Sequence, residues 1–558
     1  MLKTGAQIVA ECLLEQGVDT VFGYPGGAVL HIYDAFYEYR DRIRHILTAH
    51  EQGAAHAADG YARATGRTGV VIATSGPGAT NLVTGIAAAY MDSVPLVAIT
   101  GNVAVDLLGR DSFQEVDITG ITMAVTKHNF IVKDVRDLAP VLRKAFRIAG
   151  EGRPGPVLVD IPKDVTANVC EYAPQPPARR RPAAAPDGKA LSRALEMLRK
   201  AQRPLIYAGG GVIASGATEL LVSFAERLDC PVCCSLMGLG GFPGNHPLYL
   251  GNVGMHGACE TGRATADCDL LVAIGARFSD RVAGDRSAFS RQAEILHIDI
   301  DESELDKNVS VSLGIAGDVG NVLSALLEEL PQQEHAPWRA ALCALRDQSP
   351  RTEPLPDPQG PPTPAHILRT LRGLTGEHDI IATDVGQHQM WTAQTYRFLK
   401  PRTLLTSGGL GAMGYGLGAA IGAQAAQPSR RVVLVTGDGS FHMNLNELVT
   451  LASYELPIVV VVMNNTVLGM VRQWQKLFYG SRFSQTDPHR KTDFPALARA
   501  FGIEGLRVDR ESDVEPALER AFSLGRPVVV DYRISPDANV LPMIPPGGGA
   551  DQMITEME

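Results

Sequence analysis

The chain has 558 residues, 45% hydrophobic and 20% charged, with a formal net charge of -10. That length exceeds one hydrophobic core and predicts three or four domains. The acidic balance offers no basic footprint for nucleic acid, and no apolar run approaches the roughly 20 residues of a membrane helix. No charged leader with an apolar run and no Arg-rich segment follows Met1, so a cytoplasmic setting is expected. Most of the eight cysteines stand in apolar context, which predicts buried thiols rather than a disulfide framework. Cys230, Cys233 and Cys234 lack a second Cys or His pair at metal-ligand spacing.

Residues 1–172 alternate helix and strand signals without a long gap, as in a doubly wound α/β domain. A helix is predicted near Ala6 to Gln16, then a strand Thr20 to Tyr24 opening into Pro25-Gly26-Gly27. A strand ending near Ala49 leads to Glu51 and a helix through Ala64. Gly69 to Thr74 then forms a buried strand before the turn Ser75-Gly76-Pro77-Gly78. Such turns, where strands end and helices begin, mark the ligand side of a parallel sheet.

Residues 173–188, rich in Pro, Ala and Arg with Arg179-Arg180-Arg181 in the middle, read as an extended linker. A second α/β domain is predicted over 189–335, with strands Leu205 to Tyr207, Leu270 to Ile274 and Ile295 to Ile300. The proline density that begins near Gln348 marks a second linker, drawn as 336–363. A third α/β domain follows at 364–539. The tail 540–558 carries Pro545-Pro546-Gly547-Gly548-Gly549 and is expected to hold little regular structure. No short repeat is visible, so the fold class is α/β with three doubly wound parallel-sheet domains.

The third domain holds the most informative stretch. Val432 to Thr436 and Ile458 to Met463 are β-branched runs without alternation, as expected of parallel strands buried on both faces. Leu445, Leu448 and Ala452 between them fall at helical spacing. A right-handed strand–helix–strand unit points both strand ends the same way, which brings Asp438 of Gly437-Asp438-Gly439 beside Asn465 of Asn464-Asn465. A carboxylate and a carboxamide suit Mg²⁺, whose octahedron is completed by phosphate oxygens and water. Glycines and a helix start suit a bulky anion. By itself a Gly-Asp-Gly after a strand is more often only a turn.

With Asn-Asn following about 25 to 30 residues later, the stretch resembles the thiamin diphosphate signature. Tyr24-Pro25-Gly26-Gly27, His50-Glu51-Gln52-Gly53, Gly60-Tyr61-Ala62-Arg63, Thr74 to Asn81 and Phe113-Gln114-Glu115 stand in order before it. Gly152 to Pro156, Arg277 to Val282, Gly386 to Trp391, Gly408 to Gly414 and Gln473-Trp474-Gln475 complete the set. Together, over essentially the whole chain, they resemble the acetohydroxyacid (acetolactate) synthase family. Gly418, where many relatives carry Pro, and the turn Arg110-Asp111-Ser112 depart from the pattern.

The resemblance implies a pyrimidine-binding, a central FAD-binding and a diphosphate-binding domain, with thiamin diphosphate, Mg²⁺ and FAD as cofactors. Glu51 would bond the pyrimidine nitrogen, Met413 would wedge beneath the cofactor, and Phe113 and Gln114 would face the reacting centre. Tyr24, Pro25, Gly26, Thr74, Pro77 and Asn81 would line the pyrimidine side. Gly386, Gln387, His388, Gly411, Gly437, Gly439, Ser440, Gly469 and Met470 would line the diphosphate side. Asp438, Asn465 and the main-chain oxygen of Val467 would hold the metal. Arg153, Gly209, Gly210, Gly211, Met255, His256, Gly275, Arg277, Arg281, Asp299 and Asp318 match the FAD positions, and Arg281, Trp474 and Lys163 those for substrate.

The implied reaction decarboxylates pyruvate and joins the two-carbon unit to a second 2-ketoacid, pyruvate or 2-oxobutyrate. The segment after Asn465 and the Gly-rich tail would cover the site. The family further implies a homodimer or homotetramer with sites between chains, and a regulatory small subunit. Two other readings share parts of this pattern. A 2-ketoacid decarboxylase or pyruvate oxidase would keep the cofactor motifs, and a non-catalytic flavin-binding protein would keep the fold but lose the acid at position 51.

Overall fold

A computed structural model describes residues 1–177, 185–284, 289–290, 292–349 and 357–557; the Arg179-Arg180-Arg181 run lies outside them. Three six-stranded sheets, every strand pairing parallel, form three α/β domains in chain order. In spatial order the first sheet is Arg44–Leu47, Thr20–Gly23, Gly69–Ala73, Leu96–Asn102, Pro156–Pro162 and His128–Ile131. The second runs Tyr249–Asn252, Val232–Cys234, Pro204–Ala208, Leu270–Ile274, Glu294–Asp299 and Leu313–Ala316. The third runs Leu404–Leu405, Ile380–Thr383, Val432–Gly437, Val459–Asn464, Val528–Arg533 and Glu504–Val508. Central runs such as Val432–Leu434 and Val460–Val462 are fully buried, which is why they lack a polar alternation.

The sequence signals also set the helix ends. Thr4 and Gln7 form a reciprocal capping box for Gly5–Glu15, whose Ile8, Val9, Cys12 and Leu13 enter the core. His50 caps Glu51–Thr65 by accepting the Gln52 amide hydrogen, and Gly66, at φ 75°, ends that helix in the left-handed region.

Glu51–Thr65 is built almost wholly of small residues on its inner face, and so is Tyr415–Ala426 of the third domain. The two pack backbone to backbone: a Cβ on Gly60 would lie 2.2 Å from the Ala419 carbonyl oxygen, and one on Gly422 would lie 1.8 Å from that of Ala57. The first and third domains share one core through this contact, with Phe22 and Ala57 in the same cluster as Leu417 and Ile421.

One finding revises the sequence reading and two add to it. Residues 336–348, assigned to a linker, form the helix Ala336–Gln348. Its Trp338 and Leu342 are buried in the second domain, and the indole donates to the Pro204 carbonyl at 3.0 Å. Proline density begins only after this helix, whose buried face is carried by Trp338 and Leu342. The tail is packed although short of regular structure: Val540 and Met543 are fully buried and Met543 bridges Ile554. Leu2–Thr4 and Val169–Glu171 pair antiparallel as a small separate sheet. The described cysteines are unpaired thiols, with Cys343 exposed. Among the described residues no helix is long and apolar enough to cross a membrane.

Candidate active site

The carboxyl ends of three adjacent strands in the third sheet converge on one cradle. Gly437 pairs with Met463, so the residues just beyond, Asp438 and Asn465, occupy neighbouring strand ends. Val435 pairs with Thr383, which brings in Gly386, Gln387 and His388 from the next strand end. Asn465 donates its amide to Gln387 Oε1 at 3.1 Å and accepts the Val467 amide hydrogen at 3.3 Å. Ser440 donates to the Val385 carbonyl at 2.6 Å.

Glycines stand where the cradle's own side chains pack most closely. A Cβ on Gly437 would stand 2.8 Å from His388 Nδ1, and one on Gly469 would stand 1.9 Å from Gln387 Oε1 and 2.7 Å from Asn465 Nδ2. Helices begin at Gln387, Asp438 and Gly469, each without a side-chain cap, so main-chain N–H groups are available there. His388 Nε2 is buried without a hydrogen-bond partner, and burial lowers the imidazole to about 3, leaving a neutral ring. Burial raises the Asp438 carboxyl to about 6. A hard dication against Asp438 and the Asn465 amide, with phosphates on the helix starts, would answer both features.

Met413 reaches this cradle, its Cε 3.9 Å from a Cβ position on Gly439. Its loop is held from two sides at Gly414, whose N–H donates to Asp384 at 2.8 Å and whose carbonyl accepts from Asn444 at 3.0 Å. Asp384, fully buried and raised to about 6 by that burial, was not singled out from sequence. An acid following a strand reads as a solvated turn until its partners are known.

The first domain gathers a second cluster, also at carboxyl strand ends. Glu51 Oε2 accepts from Asn81 Nδ2 at 2.9 Å, and its Oε1 lies 3.2 Å from a Cβ position on Gly78. Thr74 packs under Gly26 and accepts the Ala28 amide hydrogen at 3.3 Å. Pro77 opens the short helix that carries Asn81. Gln114 sits at φ 58° with its backbone against Gly76, while Phe113 beside it is 87% exposed and Tyr24 is half-exposed. Lys163, exposed, begins the short helix after Pro156–Pro162.

In the middle domain Gly209–Gly211 follow one central strand and Gly275, at φ 55°, follows its neighbour. These glycines pack on each other, with a Cβ on Gly209 only 2.2 Å from the Gly275 carbonyl. Arg153 crosses from the first domain to Glu304 at 2.6 Å and Asp301 at 3.2 Å. Arg277 donates to the Met91 carbonyl at 2.8 Å, and Asp318 caps the helix Val319–Glu329. Asp299 is raised to about 6 and His256 lowered to about 4, both by burial. Arg281 joins this domain to the third: its guanidinium lies 5.7 Å from the centre of the Trp474 ring, and Nη1 contacts Met255 Sδ at 3.8 Å.

The family profiles described as thiamine pyrophosphate enzyme N-terminal TPP binding, central and C-terminal TPP binding domains match residues 3–121, 191–326 and 384–532. The chain is 46% identical over 568 residues to an acetolactate synthase of Mycobacterium bovis, covering 99% of this chain and 91% of that protein. It is 44% identical to the acetolactate synthase isozyme 2 large subunit of Escherichia coli, covering 99% and 100%. It is 46% identical to the acetolactate synthase large subunit of Corynebacterium glutamicum, covering 98% and 89%. With identity of that order across all three domains, the chain belongs to the acetolactate synthase family of thiamin diphosphate enzymes.

Proposed function

We infer that this chain is the catalytic subunit of an acetolactate synthase, converting two pyruvates and a proton into 2-acetolactate and CO2, or joining pyruvate to 2-oxobutyrate. The observation that carries the reading is the pair of strand-end clusters, an acid held by a carboxamide in the first domain and a cradle with Asp438 and Asn465 in the third. Thiamin diphosphate, when bound, supplies the carbon nucleophile and the electron sink for decarboxylation.

The chain's own residues do the rest. Asp438, Asn465 and the Val467 carbonyl would hold Mg²⁺, while Gln387, His388, Gly439 and Ser440 would receive the diphosphate. Glu51 would hold the proton at the pyrimidine nitrogen, with Asn81 fixing its second oxygen. Met413 would support the ring from its pinned loop. Arg281 suits the carboxylate of the second ketoacid and Trp474 its alkyl group. Phe113 and Gln114 would close over the reacting atoms and keep water from them.

Further parts of the proposal rest on separate supports. Exposed Phe113, Leu410 and Met443 flank the two clusters, as expected if each site is completed by a second copy in a homodimer or homotetramer. A small regulatory partner is suggested by relatives named large subunits. FAD would sit near Gly209–Gly211, at the carboxyl ends of the paired strands Pro204–Ala208 and Leu270–Ile274, as the family resemblance implies. Arg153 and Asp318 have protein partners in the present arrangement. Buried thiols used as packing residues fit a cytoplasmic setting.

Product analysis with pyruvate, Mg²⁺, thiamin diphosphate and FAD tests the reading. Acetolactate as the main product supports it; acetaldehyde or acetate would assign the chain to a decarboxylase or oxidase instead. Glu51→Gln should lose carboligation, and removing the metal with a chelator should abolish it reversibly.

A further inference from the structure

The strand Arg44–Leu47 lies at the edge of the first sheet, so the outward N–H groups of its exit toward Glu51 have no neighbouring strand. The third domain supplies the acceptors. Tyr454 accepts the Leu47 amide hydrogen at 2.8 Å. Glu447 accepts those of Ala49, at 3.1 Å to each oxygen, and His50, at 3.0 Å. Thr450 donates to the other side of the same carboxylate at 2.6 Å. Glu447 is 0% exposed, and Gly53, in the first turn of the helix that Glu51 begins, is where it seats: a Cβ there would fall 2.2 Å from Glu447 Oε1.

We propose that Glu447 is a positioning residue for Glu51: its buried carboxylate clamps the 49–50 turn and sets the direction in which the Glu51 carboxylate leaves the first helical turn. The inference rests on the reading of Glu51 as the group that bonds the pyrimidine. A buried carboxylate is costly unless its oxygens are satisfied. Here two main-chain N–H groups immediately before Glu51 satisfy them, so the acid and the turn fix each other. The same stretch begins at the proposed metal ligand: the helix Asp438–Asn444 runs directly into the turn Leu445–Glu447. One short segment therefore carries the diphosphate arm at one end and grips the acid arm of the first domain at the other.

The test compares wild type, Glu51→Gln, Glu447→Gln and Gly53→Ala in the full chain loaded with thiamin diphosphate and Mg²⁺. It reads hydrogen–deuterium exchange at the cofactor C2 by quenched NMR and the circular-dichroism band of the iminopyrimidine. Glu447→Gln and Gly53→Ala should slow C2 exchange roughly tenfold to a hundredfold and weaken the band. The fall in kcat should be similar, with KM for pyruvate unchanged. Gly53→Ala should add no further loss in a Glu447→Ala background, where the collision is gone. Slow exchange in Glu51→Gln alone, with wild-type exchange in the Glu447 and Gly53 variants whatever their melting temperatures, would overturn the positioning role and leave Glu51 standing. Wild-type exchange in Glu51→Gln would remove the reading of Glu51 itself.

Discussion

The Tyr415 hydroxyl donates to the Asp59 carboxylate across 2.6 Å, joining the first and third domains at the centre of their shared helix contact. Arg63 donates to that carboxylate at 2.6 Å and to Asp92 at 2.9 Å, and Asp92 accepts the Gly408 and Gly409 amide hydrogens at 3.0 and 2.7 Å. One buried guanidinium thus balances two buried acids, the second of which holds the start of the loop that carries Met413.

Arg63→Met should therefore damage more than stability. Both acids would be left without their cation, a loss of about 3–5 kcal/mol, and Asp92, which holds the start of the 408–414 loop, would lose its ion pair. A lower melting temperature together with weaker thiamin diphosphate binding in a titration is expected. A melting-temperature loss with unchanged cofactor affinity would separate the loop from this network.

The backbone contact between Glu51–Thr65 and Tyr415–Ala426 leaves no room for one added carbon. Gly422→Ala must push main chain from main chain, at about 3 kcal/mol. Gly373→Ala, in a helix where a Cβ meets nothing within 4 Å, should be neutral or slightly stabilising. Urea denaturation of the two variants checks the contrast, and equal midpoints would refute it.

Asp160, on the inner face of the first sheet, accepts from Thr100 at 2.7 Å and Asn102 at 2.6 Å, yet burial raises it from its ordinary 3.8 to about 6. The folded state then keeps the proton through a window in which the unfolded chain releases it. Stability contributed by this group is present below 3.8 and declines as pH rises toward about 6, by up to about 3 kcal/mol. The difference in melting temperature between wild type and Asp160→Asn should change across that window in the variant's favour and level off above it. A pH-independent difference would show that Asp160 does not titrate there.

Arg281 is 61% exposed on its side chain and is steered by the Trp474 ring and by Met255. Trp474→Leu should free the guanidinium and open the proposed alkyl pocket, reducing the preference between pyruvate and 2-oxobutyrate as acceptors by roughly tenfold. Competition between the two ketoacids, read as the product ratio, is the measurement; an unaltered ratio would remove Trp474 from acceptor choice.

Much of the fold is legible in the sequence, because its signals are local. Buried parallel strands announce themselves as β-branched runs, helix ends as Thr4 or Gly66, and the Asp438–Asn465 pairing follows from one strand–helix–strand unit whose geometry is fixed by chirality. The helix Ala336–Gln348 was missed because the prolines after it outweighed a single apolar stripe. Asp384, Glu447 and the Arg63 network left no trace of their partners, since an acid or arginine on an amphipathic segment looks the same whether it meets water, a main-chain N–H or a buried opposite charge. Sequence alone determined the three sheets and that Asp438 and Asn465 would stand on neighbouring strand ends, because hydrophobic period and turn residues act within a few positions. Only the tertiary structure decided which buried charges hold those ends in place, because hydrogen-bond partners of an edge strand or a buried acid are chosen by packing between domains.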